Sequence, residues 1–295
     1  MLRNSKIEKN LAGGLSGCLL EISGDGKIVT KTSSGSSYDQ RLLLQADKQK
    51  KFYESNIIHN IKCPEIFGIH AESSPFKFQM SYASGVCYGD FLNYSSPATI
   101  NNFKCSIISY IESLREYEKN SYSDSEFKSG CLSKLNSIDD KIEDKEFLEY
   151  LKIRIEKCSD VFLPETFCHG DLTLSNILFS NDLVYFIDFL DSYIESWIID
   201  LIKLKQDLYY FWSLSRMPMY KNMRSIQTSL HIWNCIEDKY QGVTSSEEFK
   251  ILEVLNFLRI YPYVTCDNEK NILKNIIKKL PLYEEFNNPN GREIV

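Results

Sequence analysis

The chain has 295 residues, enough for one two-lobed enzyme or two small domains with a substantial core. Apolar residues make up 43% and charged residues 25%, which excludes a disordered chain. The formal net charge of −6 leaves no electrostatic footprint for nucleic acid or an acidic membrane surface. No stretch reaches the roughly 18 apolar residues of a membrane span. The start, Met1-Leu2-Arg3-Asn4-Ser5-Lys6, lacks the apolar core of a signal peptide, so a cytoplasmic location is expected. Nine cysteines are scattered without a Cys-x-x-Cys pair. They read as reduced, mostly buried thiols and not as zinc ligands, Cys168 included.

In chain order, the first third reads as strands. Gly13-Gly14-Leu15-Ser16-Gly17 predicts a tight turn. Cys18–Ser23 and Lys27–Thr32 flank Gly24-Asp25-Gly26, and Asp-Gly between two such runs is a hairpin signal. The polar run from Ser33 to Ser37 leads to a helix from about Asp39 to Tyr53, with Leu42, Leu43, Ala46 and Phe52 on its apolar side. Strands are predicted at Glu65–His70 and Phe76–Tyr82, separated by Pro75. A helix from Thr99 to about Tyr117 carries Ile100, Phe103, Ile107, Ile108, Ile111 and Leu114, with Pro97 just before it. The Ser-rich stretch Asn120–Gly130 reads as a surface loop. Helices are predicted at Lys145–Cys158, Ile198–Trp212, Glu247–Ile260 and Glu269–Leu280, with a short hairpin in the middle of this helical half.

The chemistry concentrates around that hairpin. Residues 168–179 read Cys-His-Gly-Asp-Leu-Thr-Leu-Ser-Asn-Ile-Leu-Phe, and the apolar run Val184-Tyr185-Phe186-Ile187 ends on Asp188 and Phe189. Asp171, Asn176 and Asp188 offer a carboxylate to receive a hydroxyl proton and two oxygen ligands for magnesium, the groups that phosphoryl transfer from Mg-ATP needs. Each residue taken alone has a plainer reading: Asp171 as a turn aspartate, Asn176 as a turn residue, Asp188 as a strand-end cap.

The pattern His-Gly-Asp-x-x-x-x-Asn followed by Asp188 resembles the catalytic loop and metal-binding aspartate of the aminoglycoside phosphotransferase and choline kinase superfamily. Protein kinases have His-Arg-Asp in that loop and Asp-Phe-Gly where this chain has Asp-Phe-Leu. The resemblance implies an α+β, bilobal protein-kinase-like fold. Its strand-rich N-terminal lobe, 1–82, would bind nucleotide. Its larger, mostly helical C-terminal lobe, 83–295, would carry catalysis and acceptor binding.

It further implies Asp171 as the base, with His169 supporting the catalytic loop by hydrogen bonding. Asn176 and Asp188 become magnesium ligands, and Lys31 a contact to the α- and β-phosphates. Ser16 and Gly17 would lie near the phosphates, and the backbone of Ser81, Tyr82 and Ala83 would meet the adenine edge. Asp200 would brace the catalytic loop. The acid that should pair with Lys31 has no clear candidate; Gln45, Asp47 and Lys48 stand at the expected depth. An aromatic set, Tyr209, Tyr210, Trp212, Trp233, Tyr261 and Tyr263, with Arg216, either lines an acceptor pocket or packs the core.

The implied activity is transfer of the γ-phosphate of Mg-ATP to a hydroxyl of a small molecule: a sugar, an amino alcohol or an aminoglycoside-like compound. The alternatives are a protein kinase, disfavoured by His-Gly-Asp and Asp-Phe-Leu, and a nucleotide-binding module without catalysis. The expected partner is the small-molecule acceptor.

Overall fold

The computed structural model describes residues 9–12, 18–55, 60–70, 72–118, 120–180 and 183–288. The glycine-rich turn, with Ser16 and Gly17, lies outside them. In chain order the elements are β1 (Lys9–Ala12), β2 (Leu19–Ile22), β3 (Ile28–Thr32), α1 (Ser36–Ser55), β4 (Ile61–Lys62), β5 (Ile66–His70), β6 (Lys77–Ser81), α2 (Tyr88–Tyr94), α3 (Pro97–Arg115), β7 (Asn120–Ser121), α4 (Asp124–Asn136), α5 (Lys145–Lys157), β8 (Pro164–Glu165), β9 (Ile177–Ser180), β10 (Leu183–Phe186), α6 (Trp197–Leu208), α7 (Trp212–Ser215), α8 (Met223–Thr244), α9 (Glu247–Leu258), α10 (Asp267–Ile277) and α11 (Pro281–Asn287). Contacts group the chain into two compact units: Met1–Phe91 with Ser175–Asp191, and Leu92–Leu174 with Ser192–Val295.

The first unit is built on an antiparallel sheet of order β1-β2-β3-β6-β5. The β2–β3 turn closes as its Asp-Gly sequence predicts. Gly26 takes φ +70°, a conformation cheap only for glycine, and its amide donates to the Ser23 carbonyl at 2.8 Å. Strand alternation buries Val29 and Lys31 on one face of β3. Helix α1 lays Leu42 and Ala46 into a core with Cys18, Phe76 and Phe78. Each large apolar side chain sealed there contributes roughly 1.5–3 kcal/mol.

A second sheet in the same unit has the order β4-β10-β9, with β10 parallel to β4 and antiparallel to β9. Phe52 of α1 packs on it, its ring 6.0 Å from Phe186 and 5.2 Å from Phe189. Gly85 allows the chain to reach this sheet. A Cβ there would lie 2.9 Å from the Phe179 carbonyl oxygen, and the neighbouring Val86 bridges to Phe179.

The second unit is helical around α6, whose residues from Trp197 to Leu208 are all buried. Helices α3, α8 and α9 pack against it. A helix buried on every side is normally apolar throughout. This one carries Asp200, Lys203, Lys205, Gln206 and Asp207, so each needs a partner inside the protein.

Several elements differ from the sequence expectation, which holds no counterpart of the short α2 and α11. The stretch Asn120–Gly130 is not a loop: Asn120–Ser121 pairs with β8, and α4 begins at Asp124. Ser123 and Glu126 form a reciprocal capping box, so Ser-x-x-Glu was the overlooked start signal. The helix expected to run from Ile198 to Trp212 stops at Leu208. Phe211, at φ +57°, turns the chain into the short α7. Helix α8 was not anticipated; its buried stripe is Ile232, Trp233, Ile236 and Tyr240. Among the described residues no helix is long and apolar enough to cross a membrane.

Candidate functional site

In the helical unit, the segment from His169 to Leu174 is held from one face of α6. Asp200, Lys203 and Asp207 stand at i, i+3 and i+7, so successive turns present them on the same side. The Asp200 carboxylate accepts from the His169 amide at 2.7 Å, the Gly170 amide at 2.9 Å and the Tyr110 hydroxyl at 2.8 Å. Asp207 accepts from the Leu174 amide at 2.7 Å, the Ser213 amide at 3.0 Å and the Ser213 hydroxyl at 2.9 Å. Its burial lifts the carboxyl to about 6. Gly170 sits at φ +83°, where a side chain would strain the backbone. That explains the glycine in His-Gly-Asp: the chain must turn left-handed to bring two successive amides onto one carboxylate.

Lys203 lies between the two aspartates and reaches Asp171 Oδ1 at 2.8 Å. Arg259, at the C-terminal end of α9, brings Nη2 to 3.6 Å from the same oxygen. Burial by itself would raise the Asp171 carboxyl, but Lys203 and Arg259 outweigh it and hold the group below its ordinary value. Asp171 is therefore ionised at neutral pH. Lys203, buried and facing Arg259, is pushed down to about 8. His169 is fully buried, and its Nδ1 accepts from the Asp171 amide at 3.2 Å, so the imidazole orients the aspartate's backbone. Cys168 is also buried, its thiol 3.2 Å from Glu195 Oε2.

In the strand-rich unit, Lys31 of β3 is buried and forms an ion pair with Asp188 Oδ1. Burial works against its charge, but the Asp188 carboxylate prevails and raises the ammonium above its ordinary value. Gln45 of α1 accepts from Lys31 Nζ at 3.4 Å, and its own amide donates to the Tyr38 hydroxyl at 3.0 Å. Of the three residues at the expected depth on α1, Gln45 is the one that meets Lys31. Lys48 instead donates to the Leu190 carbonyl at 2.7 Å. Asp188 has φ +64°, uncommon outside glycine and a mark of segments held for function. The Asn176 carbonyl accepts from the Ile187 amide at 3.0 Å, which fixes the base of the hairpin that ends on Asp188.

Ser81 closes β6. Its amide donates to the Glu65 carbonyl at 2.8 Å and its hydroxyl accepts from the Glu65 amide at 2.9 Å. The Tyr82 amide donates to the Lys27 carbonyl at 2.8 Å. Among the described residues the Ala83 amide has no such partner.

The structure thus joins Lys31 with Asp188, Asn176 with the residue before Asp188, and His169 with Asp171. Sequence reasoning missed Lys203, Arg259 and Asp207. The available signal was Asp-x-x-Lys-x-x-x-Asp inside a helix whose remaining residues are mostly apolar. The aromatic set divides. Tyr209 and Tyr210 line a cavity of about 1270 Å³ in the helical unit together with Lys205, Glu237 and Asp238. Trp212 and Trp233 are buried, Tyr261 reaches Glu143, Tyr263 is exposed, and Arg216 pairs with Glu269. Lys205 is held at 2.8 Å by the buried Glu253.

A family model described as the phosphotransferase enzyme family matches residues 10–217. No curated protein matches the chain. Among solved structures, APH(2″)-IIIa in complex with GDP and kanamycin is similar at 12% identity and a TM-score of 0.62, covering 97% of this chain and 96% of that one. The streptomycin–ATP–APH(2″)-IIa ternary complex is similar at 12% identity and a TM-score of 0.56, covering 95% and 94%. A protein from Thermobifida fusca, assigned as a fructosamine-3-kinase, is similar at 10% identity and a TM-score of 0.56, covering 95% and 94%. At these identities the likeness shows the fold: α+β and kinase-like, an N-terminal antiparallel sheet followed by a mostly helical remainder.

Proposed function

Because this chain belongs to the phosphotransferase enzyme family, we propose that it transfers the γ-phosphoryl group of ATP to a hydroxyl of a small molecule. One observation carries the reading. Asp171 lies on a segment fixed by Asp200 and Asp207, and two cations keep it ionised at neutral pH. A base must be both oriented and deprotonated before the acceptor arrives. In the proposed step the acceptor oxygen bonds to the γ-phosphorus, the bond from that phosphorus to the β–γ bridging oxygen breaks, and ADP leaves. The acceptor's proton passes to the Asp171 carboxylate. His169 positions the aspartate and takes no proton itself.

Lys31 supplies a positive charge for the α- and β-phosphates, with Ser16 and Gly17 assigned to the same phosphates. Around the adenine, the Ser81 and Tyr82 amides are already engaged within the sheet. The Ala83 amide is therefore the donor proposed for the base edge. Asn176 and Asp188 fit magnesium in kind, an amide and a carboxylate oxygen being hard donors. Among the described residues no group of three His, Cys, Asp or Glu is placed to hold a metal, so nucleotide phosphates would complete the shell. Magnesium, when bound, neutralises charge on the phosphate oxygens. The lobe assignment, nucleotide on 1–82 and acceptor on 83–295, belongs to the same proposal.

Gln45 in the place of an acid favours a second reading, a nucleotide-binding module without transfer. ADP release across a panel of hydroxyl acceptors, run beside a thermal shift with Mg-ATP, separates the two. Binding with acceptor-dependent ADP release supports the kinase. Binding without release for every acceptor supports the module, and neither binding nor release removes both.

A further inference from the structure

Two cations face one carboxylate oxygen at Asp171, and they are not equivalent. Lys203 is buried and committed to it at 2.8 Å. Arg259 is about one-fifth exposed and stands at 3.6 Å, beyond hydrogen-bond reach. Among the described residues its guanidinium donates no hydrogen bond to any side chain or carbonyl. Its nitrogens are not among the sealed polar atoms, so they open onto accessible space. A planar fork of five donors beside the proposed base, ion-paired with Asp171 but making no hydrogen bond among the described residues, is a recognition element for a carboxylate or phosphate. Two neighbouring like charges repel, and an anion delivered to that spot relieves the repulsion. An ammonium arriving there meets repulsion from both cations, so a polycationic acceptor is disfavoured.

We propose that Arg259 receives an anionic group of the acceptor, a carboxylate or a phosphate ester, carried beside the hydroxyl that Asp171 engages. The proposal rests on the phosphotransferase reading. The plainer role for Arg259, a cation at the C-terminal end of α9 where the helix dipole favours it, predicts no anion binding and is separated by the same experiment.

The test uses the full chain saturated with magnesium and a non-hydrolysable ATP analogue, which fills the nucleotide's own phosphate positions. Inorganic phosphate and gluconate are the anionic probes, sorbitol the neutral one and glucosamine the cationic one, all titrated calorimetrically at fixed ionic strength. Wild type should bind at least one anion more tightly than sorbitol or glucosamine. Whichever anion binds more tightly identifies the group. Arg259→Gln should weaken that binding about 10- to 100-fold, the range for losing hydrogen bonds to a charged group, and Arg259→Lys should restore part of it.

Nucleotide binding, measured first, keeps the two claims apart. Failure of the wild type to bind the analogue removes the phosphotransferase reading. If nucleotide binds but the anions do not, or bind Arg259→Gln equally well, or are outcompeted by glucosamine, the anionic-acceptor proposal falls and the kinase reading stands.

Discussion

Lys31 and Lys203 each pair with an aspartate inside a compact unit, yet their surroundings push the two ammonium groups in opposite directions. Lys31 faces a single opposite charge, Asp188, which outweighs burial and raises it. Lys203 is more deeply sealed and has Arg259 as a second cation beside it, so it falls to about 8 while still holding Asp171. The difference is one of purpose in the proposed chemistry. A lysine that attracts phosphates is useful when always charged. A lysine beside a base is useful when it lowers that base's pKa. The carboxylates differ too. Asp188 sits on left-handed backbone at a hairpin end, and Asp171 on a segment clamped from a buried helix.

The sharpest way to break this comparison is to remove the carboxylates' proposed roles one at a time. Asp171→Ala should lower kcat by about 10²–10⁴-fold, the range for losing a general base, with nucleotide affinity little changed. Retention of more than about a tenth of wild-type kcat would end that role. Asp188→Asn should raise the magnesium concentration needed for half-maximal turnover by about tenfold or more, since it takes one charge from the metal shell. Lys31→Met should depress kcat and raise the KM for ATP together. Wild-type kinetics in Lys31→Met would make Lys31 a core cation with no part in nucleotide binding.

The pH profile addresses the other lysine. The Asp171 carboxyl is held below its ordinary value because Lys203 and Arg259 overcome burial. A base works only when ionised, so the acid limb of kcat/KM lies below the ordinary carboxylate range in wild type. Without Lys203, burial pushes the carboxyl up, and Lys203→Met should carry that limb to higher pH. The Lys203 cation is lost above about pH 8, where Asp171 stays ionised with or without it, so this pair predicts no alkaline decline. A profile unchanged by the substitution would mean that Lys203 only fills space.

The smallest effect is expected from backbone geometry. Gly170→Ala places a side chain at φ +83° and should cost roughly 1–2 kcal/mol in urea unfolding. Because the strain falls on the amides held by Asp200, kcat should drop as well. Lost stability with full activity would show that the clamp does not position Asp171.

The sequence by itself determined the catalytic-loop pattern, the hairpin that ends on Asp188, the β2–β3 turn, the Lys31 strand and most helix positions. These are local: a tight turn, a strand's alternation and a fixed motif spacing are set by residues close together in the chain. Asp200 was also readable, through the resemblance that points to it. Tertiary structure alone decided the surroundings of Asp171. Lys203 and Arg259 come from two helices far along the chain, and no periodicity announces that their side chains end on the same carboxylate oxygen. It likewise decided that Gln45 meets Lys31 and Lys48 does not, since both lie on α1 and only the packing of that helix against the sheet selects between them. A charge in a helix shows its cost in the sequence; its partner is fixed only when the chain closes around it.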